Sequence, residues 1–167
     1  MSNDKEASRR RAIQIAAGAT AVVATAKTAL AAPSALGTWR LVGTTATDAN
    51  GNKKAVPFGP RGMGLVTLAA DGRMMAVLVD GRKSLPDGAK REYSSYCGNY
   101  TFDGSTLTTI VDACSDPARM GSAQVRKVRF EGDKMILVPP PSEVDGIKVM
   151  RELTWERVSP ASLLITP

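Results

Sequence analysis

From position 34 onward, apolar and polar residues alternate with a period of two in short runs, and clusters of Gly, Asp and Pro interrupt the runs about every ten positions. This alternation puts every second side chain on one face of an extended strand. It predicts strands over 38–47, 63–69, 73–79, 92–102, 106–113, 123–130, 134–138 and 148–158. Asp71-Gly72, Asp103-Gly104 and Gly132-Asp133 are short connections suited to tight hairpins, whose central residues must adopt positive φ. No strong helical period follows position 33. Consecutive hairpins make an up-and-down sheet, and eight strands in that order close readily into a barrel that has no exposed edge. The expected fold class is all-β, an eight-stranded antiparallel up-and-down barrel. A barrel of this size is either filled by side chains or holds one small ligand. Segments 48–62, 80–91 and 139–147 become loops at its mouths. Pro139, Pro140 and Pro141 end a strand and stiffen a rim, since proline fixes φ; the alternative is a partner-recognition segment.

Strand parity then sorts the side chains that could carry chemistry. Tyr96, Gly98, Tyr100 and Phe102 share one face of the fourth strand, and this aromatic face is the expected interior. It serves either core packing or a ligand. On the sixth strand Gln124, Arg126, Val128 and Phe130 lie together, opposite Val125, Lys127 and Arg129. If Lys127 and Arg129 meet solvent, Arg126 turns inward, where a charge must be paired or hydrated. Asp112 on the preceding strand is the expected partner. An Asp112–Arg126 pair would brace the barrel or recognise a carboxylate or carbonyl. On the last strand Arg151, Leu153, Trp155 and Arg157 share a face, with Glu152, Thr154 and Glu156 opposite.

The first 33 positions are different. Ser8-Arg9-Arg10-Arg11-Ala12-Ile13-Gln14 resembles the bacterial twin-arginine export motif. An Ala- and Gly-rich apolar stretch follows to Ala26, then Lys27, and Ala29-Leu30-Ala31 offers the small residues that a signal peptidase reads. The expected organisation is a signal peptide over 1–31, a short linker over 32–36, the barrel over 37–160 and a tail over 161–167. An N-terminal membrane anchor is the alternative, but the apolar run falls short of the roughly 20 residues needed to span a bilayer. This reading places the mature protein in the periplasm or outside the cell, without stable membrane insertion after cleavage.

Charge and composition narrow the chemistry. The formal net charge is +6, and residues 1–31 supply half of it, with Lys5, Arg9, Arg10, Arg11 and Lys27 against Asp4 and Glu6. The remainder is a mildly basic surface without the concentrated stripe of a nucleic-acid binder. Histidine is absent, which removes His-based triads, the usual proton shuttle near neutral pH and His-ligated metals. No phosphate-cradling or dinucleotide-binding glycine motif is present. Neither a cofactor nor a metal is expected. Cys97 and Cys114 are the only cysteines. A hairpin centred on Asp103-Gly104 puts Cys97 opposite Ile110 and Cys114 opposite Tyr93, an offset of four residues, which is too long for a disulfide. The thiols are expected to be free.

Gly37-Thr38-Trp39 opens the first strand and looks like the lipocalin first-strand signature, in which Trp closes the narrow end of a barrel and a late Arg packs across it. The resemblance continues in order through Gly37-Thr38-Trp39-Arg40-Leu41-Val42, Pro57-Phe58-Gly59-Pro60, Asp71-Gly72-Arg73-Met74, Tyr96-Cys97-Gly98-Asn99-Tyr100, Asp116-Pro117, Gln124-Val125-Arg126 and Leu153-Thr154-Trp155-Glu156-Arg157. These segments are similar to the bacterial lipocalin-like domain family. That resemblance implies closure by Trp39 and Arg157, the arginine stacking on the indole and bonding backbone carbonyls. Many members carry His near Thr109 and Ile110; this chain does not, so His-dependent chemistry is not expected. The expected function is binding of a small, largely apolar molecule in the barrel, with Tyr96, Tyr100, Asp112 and Arg126 as polar anchors. A second reading is a cofactor-independent isomerase, cyclase or decarboxylase with Asp112 and Tyr100 as acid–base groups. A third is a cell-envelope protein with a filled core.

Overall fold

The structure is a computed structural model that describes residues 34–159. The expected signal peptide, its cleavage before Ala32 and the 161–167 tail lie outside the described residues. Among the described residues nine strands form: β1 (Gly37–Asp48), β2 (Gly62–Leu68), β3 (Arg73–Asp80), β4 (Tyr93–Phe102), β5 (Thr106–Cys114), β6 (Ala123–Glu131), β7 (Lys134–Val138), β8 (Ser142–Val144) and β9 (Ile147–Ser159). All neighbours are antiparallel in the order β1-β2-β3-β4-β5-β6-β7-β9-β8, and β1 pairs with β9. The result is a closed eight-strand barrel of β1–β7 and β9, with β8 as a flap on β9. A single 3₁₀ turn, Pro117–Arg119, interrupts the β5–β6 connection. Among the described residues no helix is long and apolar enough to cross a membrane.

The eight long strands match the alternation read from the sequence to within a residue or two. The ninth corrects it: Ser142–Val144 pairs with Ile147–Val149 around Asp145-Gly146, inside a segment expected to be all loop. Asp145 at φ 51° and Gly146 at φ 73° are both left-handed, as a type I′ hairpin requires.

A second correction concerns the β4–β5 hairpin. Its central residues are Gly104 and Ser105, because Phe102 faces Leu107 and the Asp103 N–H donates to the Thr106 carbonyl. The Asp103 carboxylate accepts from the Ser105 and Thr106 N–H groups and so occupies the position before the turn. The register shifts accordingly: Asn99 faces Ile110 and Gly98 faces Val111. A bulge then inserts Asp112, so that Cys97 faces Ala113 and Tyr96 faces Cys114. Cys97 and Cys114 are therefore one pair out of step rather than four. Cys114 packs against the core, while Cys97 turns toward Asp112 with Sγ 3.6 Å from Oδ1, and both thiols are free.

The tight turns after β2, β4 and β6 gather at one end with the start of β1 and the end of β9. The long connections 49–61, 81–92, 115–122 and 139–146 gather at the other. The barrel thus has a tightly closed end and a loop-rimmed end, and the core is graded between them. Trp39, Leu68, Leu107 and Met135 are buried toward the closed end, with Phe102 and Phe130 packed on them.

Candidate functional site

At the closed end, Trp39 and Arg157 face each other across β1 and β9. The Arg157 guanidinium lies 4.0 Å from the centre of the Trp39 ring, well inside the range of cation–π attraction. It donates to the carbonyls of Ser34 and Leu36, and the Trp39 indole N–H donates to the Ala35 carbonyl at 2.9 Å. Burial lowers the pKa of Arg157, yet a guanidinium remains charged at any physiological pH. Phe130 sits 6.2 Å from Trp39 and Phe102 6.4 Å from Phe130, ring centre to ring centre. This end is sealed by the packing of Trp39, Phe102, Phe130 and Arg157.

The other end opens into a cavity of about 210 Å³ inside the barrel. Its floor and walls are Val66, Ala76, Leu78, Leu137, Leu153 and Trp155, the inward-facing positions of β2, β3, β7 and β9. Its rim is polar: Ser94, Tyr96, Arg119, Gln124, Arg126 and Arg151, together with Pro57, Phe58 and Pro139. Arg119, on the 3₁₀ turn, lies 4.4 Å above the Tyr96 ring and donates to Ser94 Oγ at 2.9 Å and Gln124 Oε1 at 3.0 Å. Arg126 donates to the Val125 carbonyl at 2.7 Å and more loosely to Gln124 Oε1 at 3.3 Å. Arg151 donates through Nη1 to Ser142 Oγ on β8. No Asp or Glu lines the cavity.

The lip is held by an ionic clamp. Asp80, at the end of β3 and 2 % exposed, accepts from the Arg82 N–H and guanidinium, which hold its carboxyl below the usual range. Gly59 packs against this pair: a Cβ there would lie 3.0 Å from Asp80 Oδ2. The adjoining Phe58 has φ 63°, a conformation that costs a non-glycine residue about 1–3 kcal/mol. Its N–H is held by the Glu92 carboxylate. The clamp therefore fixes Phe58 over the cavity.

Tyr96 and Arg126 stand on the cavity wall, as their parity predicts. Asp112 does not. Cross-strand partners share a face, so an interior Gly98 and Tyr100 require interior Val111 and Thr109 on β5, and Asp112 falls outside. There the Arg73 guanidinium grips Asp112 and holds its carboxyl below the usual range. The expected Asp112–Arg126 pair does not form: charge matching suggested it, and the bulge and face parity of β5 exclude it. Tyr100 points inward but toward the closed end. Its hydroxyl donates to the Ala69 carbonyl at 2.9 Å, and burial raises its pKa. Both acid–base candidates of the enzyme reading therefore lie off the cavity.

Arg119, Gln124, Arg151 and Trp155 were not among the expected anchors. The alternation Arg151-x-Leu153-x-Trp155 and Gln124-x-Arg126 does carry the signal for three of them. Arg119 sits in a turn without periodicity, so only the tertiary fold brings it to the rim.

A closed antiparallel barrel with one sealed end and one open apolar cavity defines the calyx class of ligand-binding folds. Residues 36–158 match the family described as the lipocalin-like domain, and the chain belongs to that family. A search of curated proteins gives no match.

Proposed function

We propose that this protein is an exported carrier or sensor that binds one small, largely apolar molecule in its calyx. The observation that carries this reading is the unfilled interior. Interiors pack with few voids larger than a water molecule, yet here about 210 Å³ stands open above Trp155 and Leu153, between apolar walls and a polar rim. The filled-core reading would need that space occupied by side chains. The volume lies below the roughly 300–1,000 Å³ of drug-sized pockets, so the ligand is small or projects past the rim. A larger cleft of about 670 Å³ lies on the outer wall beside Thr45, Thr47 and Lys127. Outward-facing residues make up most of it, and it lacks the buried floor that desolvates a ligand.

Export is supported by Ser8-Arg9-Arg10-Arg11 and the Ala29-Leu30-Ala31 site. Native mass spectrometry of protein isolated from its own source tests both parts at once. The expected mass is that of a chain beginning at Ala32 carrying a small adduct that dissociates on unfolding. A chain that retains residues 1–31 contradicts export, and an adduct-free protein that also binds no added apolar compound contradicts the carrier reading.

A further inference from the structure

Several arginines of the barrel hold a carboxylate, and the three that line the cavity do not. Arg40, Arg73, Arg82 and Arg129 each hold a carboxylate: Glu156, Asp112, Asp80, and Glu131 with Glu152. Arg119, Arg126 and Arg151 line one cavity, and among the described residues none of them forms an ion pair. Their partners are neutral oxygens of Ser94, Gln124, Val125 and Ser142. Three cations thus surround a space with no acid in its lining. Half-buried on one rim, such charges repel one another and attract an anion more strongly than fully exposed ones would.

A second, independent observation lies deeper. Arg151 Nε and Trp155 Nε1 are buried donors without a hydrogen-bond acceptor, and Trp155 is 2 % exposed. Buried donors are nearly always satisfied, and these two belong to residues lining the same cavity. The cavity is lined by three cations and no carboxylate, and its own acceptors are the neutral oxygens of Ser94, Tyr96 and Gln124. A fitting occupant supplies oxygen acceptors and negative charge, and carries an apolar body against Leu137, Leu153 and Val66.

Resting on the calyx-binding reading above, we propose that the ligand class is a small organic monocarboxylate. Its carboxylate is held by Arg126 and Arg151, with Arg119 adding charge from the rim. A guanidinium fork matches a carboxylate in plane and spacing, whereas the apolar walls disfavour a hydrated inorganic anion.

Calorimetric titration of the full protein with two matched pairs tests this: octanoate against octan-1-ol, and phenylacetate against 2-phenylethanol. At least one acid should bind about tenfold or more tighter than its alcohol, the scale of one charge-assisted bond. Its affinity should fall as salt rises. Arg151→Met and Arg126→Met should each erase most of the preference by weakening the acid far more than the alcohol, and Arg151→Lys should restore part of it. The thermal midpoint of Arg126→Met should match or exceed that of the unchanged protein, because the substitution relieves repulsion and breaks no ion pair. Equal binding of acid and alcohol overturns the carboxylate proposal and leaves the calyx reading standing. No binding of any of the four compounds overturns both. An acid preference that survives both Met variants places the anion elsewhere and overturns the proposal.

Discussion

Replacing Trp39 by Ala tests whether the sealed end holds the barrel together. The indole is 1 % exposed and touches three kinds of partner: the Arg157 guanidinium at 4.0 Å, Phe130 at 6.2 Å and the Ala35 carbonyl at 2.9 Å. Removing a buried aromatic costs about 3–5 kcal/mol through lost transfer energy and an unfilled cavity. At a urea dependence of about 2 kcal/mol per molar, a loss of about 4 kcal/mol lowers the unfolding midpoint by about 2 M. Arg157→Met removes the stacked cation and its bonds to Ser34 and Leu36. Those carbonyls lie near the surface and regain water, so the loss is smaller, about 1–3 kcal/mol. Because the two side chains touch, their losses should not add, and a double-mutant cycle should give a coupling of about 0.5–2 kcal/mol. Urea unfolding followed by circular dichroism measures all three variants without relying on tryptophan emission. A Trp39→Ala loss below about 1 kcal/mol, or a coupling near zero, would refute the closure argument.

Gly98→Ala should destabilise by about 1–3 kcal/mol or more, since the new Cβ would stand 1.8 Å from the Ile110 carbonyl oxygen and 2.7 Å from its carbon, and backbone cannot yield as a side chain can; a thermal midpoint equal to the unchanged protein's would contradict the β4–β5 register. Acid should unfold the protein through two rim carboxylates. Hydrogen bonds from Asn52 and Lys54 lower the Asp48 pKa to about 2, and Arg82 lowers that of Asp80. With folded values below the unfolded value near 4, their contribution is complete above about pH 4–5 and is lost as pH falls toward 2. Thermal midpoints measured from pH 7 to 2 should show that decline, and Asp48→Asn should flatten part of it.

The barrel was legible because alternation and turn chemistry are local. Asp71-Gly72 and Gly132-Asp133 mark hairpins that the structure contains. What escaped the sequence depended on single-residue offsets. Whether Gly104 is the first or the second central residue of its turn changes each β4–β5 partner by two positions. The bulge that inserts Asp112 leaves no local trace. Val144-Asp145-Gly146-Ile147 has hairpin chemistry, but β8 is too short to show alternation. The calyx was half legible: parity found the wall positions Tyr96 and Arg126, whereas Arg119 and the empty space itself are products of tertiary packing.

The most direct measurement of the calyx uses the chain's two tryptophans. Each gives one indole N–H resonance in a nitrogen–proton correlation spectrum, assignable with Trp39→Phe. The Trp39 N–H is bonded to the Ala35 carbonyl in the sealed end, whereas the Trp155 N–H has no partner and its ring lines the cavity. On titration with octanoate, the Trp155 resonance should move and saturate while that of Trp39 stays in place. A stationary Trp155 resonance, or one that moves no further than that of Trp39, would contradict binding in the calyx.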